Sequence, residues 1–466
     1  MIQVGRPEDT PMSIAPEPVA EDRRFFGHPA GLGVLAGLEV WDRISFYGMQ
    51  SLLVLYMVGQ LLLPGHVENI AGFAGFRAAL ENVLGPLSTQ ALASQIFGLY
   101  VGLVALTPLI GGFLGDRLLG RRNSIIIGAL CMAAGHLSLA FDSTFLVALL
   151  LLITGAGFVR GNVAPQIGEL YSTEDRRRGV AFQIYGSVIN FGAFVAPLVT
   201  GALGQAYGWH FGFGFAAVGM MVGLVVYLMG QKNLPAETRV ARREKSAPLT
   251  RQDHIRLGFL FAIVPGAAMF WVAQSQIWNT YNIWVRDHLE LRVASWTIPI
   301  PWLQSLDGLA PFLLLPPILA LWRWQADLRA EPDDFSKIAI GCLIFGAATM
   351  LLAGAQFWIN GAGRTPLVVA ILFHFISNLG WLFTVPTLNS LFSRLAPRSI
   401  NATMLGVNAL TTTLGSFISG RIGGFYEVMT PVAFWSLHAA LVAGGGVSVW
   451  LIGRLYARSL TAAQTA

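Results

Sequence analysis

Stretches of about twenty apolar residues recur along this chain, and no soluble core has use for so many. A helix needs about 20 such residues to cross the hydrocarbon of a bilayer. Twelve candidates fall near 31–60, 92–115, 122–141, 144–170, 178–204 and 209–230, then 257–284, 300–323, 337–359, 366–391, 402–424 and 431–455. Of the 466 residues, 54% are hydrophobic and only 12% charged, against about 25% charged in an ordinary soluble domain. The reading is an all-α membrane protein of twelve transmembrane helices.

The largest shift in composition is the polar, basic segment 231–256, "QKNLPAETRVARREKSAPLTRQDHIR". It divides the spans into two six-helix bundles, 26–230 and 257–458, with polar tails at 1–25 and 459–466. The first tail holds Pro7, Pro11, Pro16 and Pro18 and lacks the apolar core of a signal peptide, so it reads as a disordered tail. Basic residues crowd the connections after the even-numbered spans ("GDRLLGRRN", "EDRRRG", the 231–256 linker, "WRWQADLRAEPDDFSK", "SRLAPRS"). The opposite connections carry only Arg77, Arg286, Arg292 and Arg364. By the positive-inside rule both termini are expected in the cytoplasm. The pI of about 9.4 then reflects basic loops facing anionic headgroups of the lipid bilayer, not a nucleic-acid partner. Cys131 and Cys342 lie in separate apolar runs and are expected to be free, buried thiols. No metal-ligand cluster, nucleophile motif or phosphate loop stands out, so neither a cofactor nor an enzyme activity is expected.

The segment "GLEVWDRISFYGMQ" poses the chemical question. An ionisable side chain at the bilayer centre costs roughly 2.5–3.5 kcal/mol on insertion scales, yet Glu39, Asp42 and Arg43 sit in the first span. At about 100° per residue, Glu39, Asp42, Arg43, Phe46 and Tyr47 share one helix face. Arg43 lies four residues from Glu39 and beside Asp42, so it can neutralise one carboxylate locally. The second needs a proton or another cation, and the fourth span, "LLITGAGFVRGNVAPQIGELY", supplies Arg160. A substrate carboxylate that draws Arg43 and Arg160 away would leave Glu39 and Asp42 to take up protons. The plainer reading is a fixed ion network, or charges that snorkel to water.

These segments also resemble a known family, the proton-dependent oligopeptide transporters, the POT or peptide transporter family of the major facilitator superfamily. "FFGHPAGLGVLAGLEVWDRISFYGMQSLLVLYM" resembles its first helix with the signature Glu-x-x-Glu-Arg-Phe-x-Tyr-Tyr-Gly. "LTPLIGGFLGDRLLGRRNSIIIGA" is similar to its second and third helices with the gate loop, and "GFVRGNVAPQIGELY" to its fourth-helix Lys-Pro-Asn segment. "RGVAFQIYGSVINFGAFVAPLVTGAL", "IPIPWLQSLDGLAPFLLLPPILALW" and "SLFSRLAPRSINATMLG" resemble its fifth helix, its eighth helix and its tenth-to-eleventh connection. The match runs from about residue 26 over nearly the whole chain. The two extra helices that many bacterial members carry between the halves have no room in 231–256.

The resemblance implies the major facilitator fold and proton-driven import of di- and tripeptides. It also implies a place in a plasma membrane, the inner membrane of a bacterium, and a monomer. It assigns proton and peptide-carboxylate handling to Glu39, Asp42 and Arg43, and peptide contacts to Tyr47, Arg160, Asn190 and Gln276. Asp116, Arg117 and Arg121, with Arg122, match the gate loop. Arg160 stands where the family has lysine; it keeps the charge but does not titrate. Other departures are sharper. Ser275 and Trp381 stand where the family has glutamates of the seventh and tenth helices, Phe46 replaces the first signature tyrosine, and Ala105 replaces a second-helix tyrosine. Asp307 appears where the family has asparagine, and is expected to take part of the lost amine-binding or protonation role. His374 and Asn378, one turn apart, are further candidates for the cavity wall. The leading expectation is a proton-coupled symporter whose partners are protons and a short peptide or peptide-like anion. The alternative is a proton-coupled transporter of an anionic solute without a free amine.

Overall fold

A computed structural model describes residues 22–172, 174–235, 249–328, 330–359, 363–397 and 401–465. The first half holds α1 (Ala30–Tyr56), α2 (Phe73–Leu84), α3 (Thr89–Leu114), α4 (Arg121–Ser138), α5 (Phe145–Glu169), α6 (Arg177–Tyr207) and α7 (Trp209–Gly230). The second holds α8 (Arg251–Gln276), α9 (Thr280–His288), α10 (Ser305–Asp327), α11 (Asp334–Ile359), α12 (Leu367–Leu395), α13 (Asn401–Gly423) and α14 (Pro431–Thr465). With α2 outside the bundle and α8 and α9 forming one broken span, this is the twelve-helix facilitator plan. A small antiparallel ladder, β1 (Arg292–Val293) with β2 (Trp296–Thr297), follows α9.

Among the described residues, ten helical segments are long and apolar enough to cross a membrane by length and composition. Of the twelve bundle spans, α4 and α13 fall outside that set. The first opens on Arg121, Arg122 and Asn123, and the second is rich in Thr and Ser. Thr411, Thr413, Ser416 and Ser419 of α13 are buried, because that helix packs between α3 and α8. Apolar side chains instead cover the outer surface. Phe113, Leu150, Val218, Met229 and Trp358 are all more than half exposed, as a lipid-facing wall requires. The chain is a multi-pass membrane protein.

The structure departs from the sequence reading in several places. Between the first two expected spans, Phe73–Leu84 forms the extra helix α2. Residues 22–25, read as disordered tail, are tied down: Asp22 accepts from the Ala30 amide at 3.0 Å, and Arg24 donates to Asn233 at 3.0 Å. Residues 251–256, read as linker, are the first turns of α8, started by a capping box between Thr250 and Asp253. At the other end α14 runs on to Thr465 through the expected tail. Residues 1–21 and 236–248 of the expected tail and linker lie outside the described residues. Cys342 is buried as expected, but Cys131 is only half-buried.

The seventh span, expected as one helix over 257–284, breaks between Gln276 and Thr280. A break inside a bundle frees backbone and polar groups that must find partners. Here Gln304 donates to the Ile277 carbonyl at 3.0 Å, Asn282 to the Trp278 carbonyl at 3.3 Å, and Ser94 to Asn279 at 2.9 Å. The last of these reaches across from the first half.

Other bonds between the halves gather at the same end, away from the termini. Gln90 donates to the Gly423 carbonyl at 3.0 Å, Trp302 to the Leu198 carbonyl at 2.9 Å, and the Ser88 hydroxyl to Glu427. Small residues let the backbones meet there. A Cβ on Gly98 of α3 would lie 2.5 Å from the Ser416 carbonyl oxygen and 2.7 Å from Gly420 of α13. Gly98→Val is therefore expected to force α3 and α13 apart at a cost of about 1–3 kcal/mol, read as a lower thermal midpoint in detergent. Gly258→Val, at a position with open space around it, should leave the midpoint unchanged or slightly higher.

Candidate functional site

The helical spacing of α1 brings Glu39, Asp42 and Arg43 together, and burial forces them to pair. Both carboxylates are fully buried. Arg43 Nε donates to Glu39 Oε1 at 2.7 Å and lies 3.6 Å from Asp42 Oδ2. Arg160 reaches across from α5 and donates from Nε to the same Asp42 oxygen at 3.2 Å. Two arginines and two carboxylates thus form a neutral cluster. Phe46 completes it, with its ring centroid 4.1 Å from the Arg160 guanidinium carbon. A phenylalanine offers a desolvated cation a π face without adding a hydroxyl that needs a partner. Glu39 Oε2, Asp42 Oδ1 and Arg160 Nη2 are buried without a hydrogen-bond partner among the described residues, so the cluster keeps unused bonding capacity.

A second polar cluster forms in the other half. Asp307 lies in the first turn of α10, where the helix dipole favours a carboxylate. Its Oδ1 is paired with His374 Nδ1 at 2.8 Å and accepts from Asn378 Nδ2 at 2.8 Å, both on α12. Asp307 thus carries a specific pair of partners, and His374, fully buried, is one of them.

Between the clusters is a cavity of about 70 Å³ whose wall includes Tyr47, Asn190, Gln274, Trp278, Asp307 and Trp381. That is room for about two waters. The Tyr47 and Trp278 rings, 5.4 Å apart, span it from α1 to the break after α8. Gly308, next to Asp307, brings α10 against the Asn190 and Phe194 backbone of α6. Glu39, Asp42, Arg43 and Arg160 do not themselves line this cavity; Tyr47, one turn beyond Arg43 on α1, does.

Tyr47, Asn190, Asp307, Asn378 and Trp381 therefore sit where the sequence reading places a binding site. Gln276 does not. It is fully buried, donates to the Ser419 carbonyl at 2.9 Å and accepts from Thr280 at 2.7 Å, so it holds the helix break and the α8–α13 contact. Ser275 likewise faces Ser416 at 3.2 Å. Gln274 takes the cavity position, because two residues along a helix are about 200° apart. His374 also stands back from the wall, reaching the cavity only through Asp307.

The expected gate residues lie at the far end of α3, in the π-turn Gly115–Leu119 and at the start of α4. Asp116 Oδ1 accepts from Arg121 Nε at 2.9 Å, and Arg121 also pairs with Glu169 at the end of α5, a partner the sequence reading missed. Arg117 rests over the Phe113 ring at 5.7 Å. Arg122 donates to the Leu234 and Pro235 carbonyls just past α7. These contacts bind helix ends within the first half.

If the α1 cluster is stable through mutual neutralisation, Arg43→Gln leaves Glu39 buried without its cation. That change is expected to cost about 3–5 kcal/mol, seen as a large fall in the thermal midpoint. The double variant Glu39→Gln/Arg43→Gln removes both charges and should recover most of the loss. Equal destabilisation of the two variants would show that Arg43 acts through packing.

The comparisons with known proteins fit this geometry. A profile described as Major Facilitator Superfamily matches residues 44–420. The chain is 28% identical to the peptide transporter YePEPT of Yersinia enterocolitica, over 92% of this chain and 95% of the relative. It is 27% identical to a di-/tripeptide transporter of Lactococcus lactis subsp. cremoris, over 89% and 93%. A crystal structure of a peptide transporter POT in complex with sulfate superimposes with a TM-score of 0.81 at 26% identity, covering 94% of this chain and 97% of that one. Twelve bundled helices, the charged face of α1 answered by Arg160 and these likenesses place the chain in the major facilitator superfamily, as a member of its POT family.

Proposed function

We propose that this protein is a proton-coupled symporter that imports di- and tripeptides, or solutes shaped like them, by alternating access. One observation carries the reading: two polar clusters flank one central cavity, the arginine-rich one lying one helical turn from Tyr47 of its wall and the Asp307 carboxylate on the wall itself. A peptide carboxylate suits Arg43 and Arg160, and a peptide amine suits Asp307. Named relatives that carry peptides support the substrate class.

The coupling follows from charge balance. A substrate carboxylate that draws Arg43 or Arg160 leaves Glu39 and Asp42 short of a countercharge, and a proton is the remaining way to neutralise them. We place the protein in a bacterial plasma membrane as a monomer, 26–230 and 257–458 being its two bundles and lipid its surroundings. The face with both termini is cytoplasmic by the distribution of Lys and Arg. The seam described above then seals the outer side, and the state is closed outward. In this scheme the Asp116–Arg121–Glu169 contacts hold the inner helix ends of the first bundle.

The alternative, a proton-coupled carrier of anions without a free amine, is supported by Ser275 and Trp381 standing where the family has glutamates. Liposomes with an imposed inward proton gradient distinguish the two. Dialanine taken up in preference to its N-acetyl form supports a two-ended site; equal uptake of both favours the anion carrier. Glu39→Gln is expected to abolish proton-driven accumulation while preserving counterflow exchange, and full accumulation would remove Glu39 from the coupling. Arg160→Ala should weaken uptake of dialanine about tenfold or more relative to its C-terminal amide, the loss of a charge-assisted bond. Equal losses for both would make Arg160 structural.

A further inference from the structure

Asp307 is a carboxylate in the membrane interior, and its charge needs an answer. Arg43 and Arg160 are engaged by Glu39 and Asp42. Among the described residues, the group in ion-pair reach of Asp307 is His374, at 2.8 Å. Asn378 adds a neutral hydrogen bond to the same oxygen. The other titratable group facing the imidazole is Tyr281 of α9, whose ring packs edge-on at 5.2 Å. Behind Tyr281, α14 presents Trp435 and, tilted against it, His438. On α11, Lys337 is paired with Glu331, and Cys342 is buried within the helix packing. No second carboxylate faces His374 among the described residues, so His374 as imidazolium makes the pair neutral.

The two members differ in access. Asp307 lines the cavity and His374 does not. Asp307 Oδ2, His374 Nε2 and the Tyr281 hydroxyl are all buried without a hydrogen-bond partner among the described residues. A solute entering the cavity therefore meets a carboxylate with one oxygen unused and a cation concealed behind it. An ammonium seated on Oδ2 would put two cations on one carboxylate in a water-poor site, which is unfavourable. Of the two, imidazolium gives up its proton more readily than an aliphatic ammonium.

We propose, building on the two-ended site above, that His374 is a proton-exchange group. A solute ammonium replaces imidazolium as the countercharge of Asp307, and His374 releases its proton to water. The balance is R–NH3+ plus Asp−·HisH+ going to R–NH3+·Asp− plus neutral His and H+. Amine-bearing solutes then move with one proton fewer than their acylated analogues. Uptake remains proton-driven because the opposite cluster has two carboxylates, Glu39 and Asp42, to protonate. His374 thus sets a proton count that depends on the chemistry of the cargo.

Two measurements test this. In nitrogen-15 NMR of histidine-labelled protein in nanodiscs at about pH 6, His374 is assigned by the signal lost in His374→Gln. It is expected to be imidazolium in the empty wild type and neutral in Asp307→Asn; a neutral imidazole in both overturns the proposal, whether or not any peptide is carried. In liposomes, the proton-to-solute ratio is read for dialanine and N-acetyl-dialanine from the gradient at which net flux reverses. The wild type should show about one proton fewer for dialanine, and His374→Gln should abolish the difference. Equal ratios in the wild type overturn the proposal. Absence of uptake of either solute is a failure of the peptide reading, and the NMR result on the empty protein then decides the role of His374 by itself.

Discussion

Everything at the centre of this protein depends on burying charge without leaving it unpaired. An isolated carboxylate in such an interior costs several kcal/mol even after relaxation. The chain meets that constraint twice. Glu39 and Asp42 are answered by Arg43 from their own helix and Arg160 from α5. Asp307 is answered by His374 and Asn378 from α12. The buried carboxylates of each half thus find their partners within that half, so neither half needs the other to satisfy them. Two bodies with that property can tilt against one another without exposing an orphaned ion, as alternating access requires.

What joins the halves is accordingly different in kind. The seam is made of close backbone approaches at Gly98 and Gly308, of Gly201 against the Pro301 and Trp302 side chains, and of hydrogen bonds such as Gln90 to Gly423 and Trp302 to Leu198. Each such bond contributes about 1 kcal/mol net, strong enough in number to hold a state and weak enough to exchange. The break between α8 and α9 belongs to the same region. Its freed groups are satisfied by Gln304, Asn282 and Ser94, and the turn carries Trp278 into the cavity wall opposite Tyr47. The aromatic contact of Tyr47 with Trp278 across the cavity thus depends on an irregular piece of backbone.

Much of this was legible in the residues. Apolar run length located the twelve spans, since a bilayer demands about twenty such residues per crossing. The α1 cluster could be read from spacing alone, because Glu39 and Arg43 are four apart and two carboxylates require a second cation. Other features were not legible, for identifiable reasons. A single buried helix and a broken one have the same hydropathy, so the interruption at 277–279 left no trace in composition. Gln276 and Gln274 are the same residue type two positions apart, and which of them faces the cavity depends on how α8 is rotated against α13. Asp307 was visible as an anomaly, but its pairing with His374 joins positions 67 apart in sequence.

The sequence by itself determined the class of molecule, its span count and the charge inventory of the interior, because the membrane penalises each polar residue locally and independently of neighbours. Only the tertiary structure decided which charges meet and which faces line the cavity. It also decided which end of the bundle is sealed, because these follow from helix rotation and backbone approach between residues far apart in the chain. A glycine such as Gly98 is silent in the sequence until the helix it admits is in place.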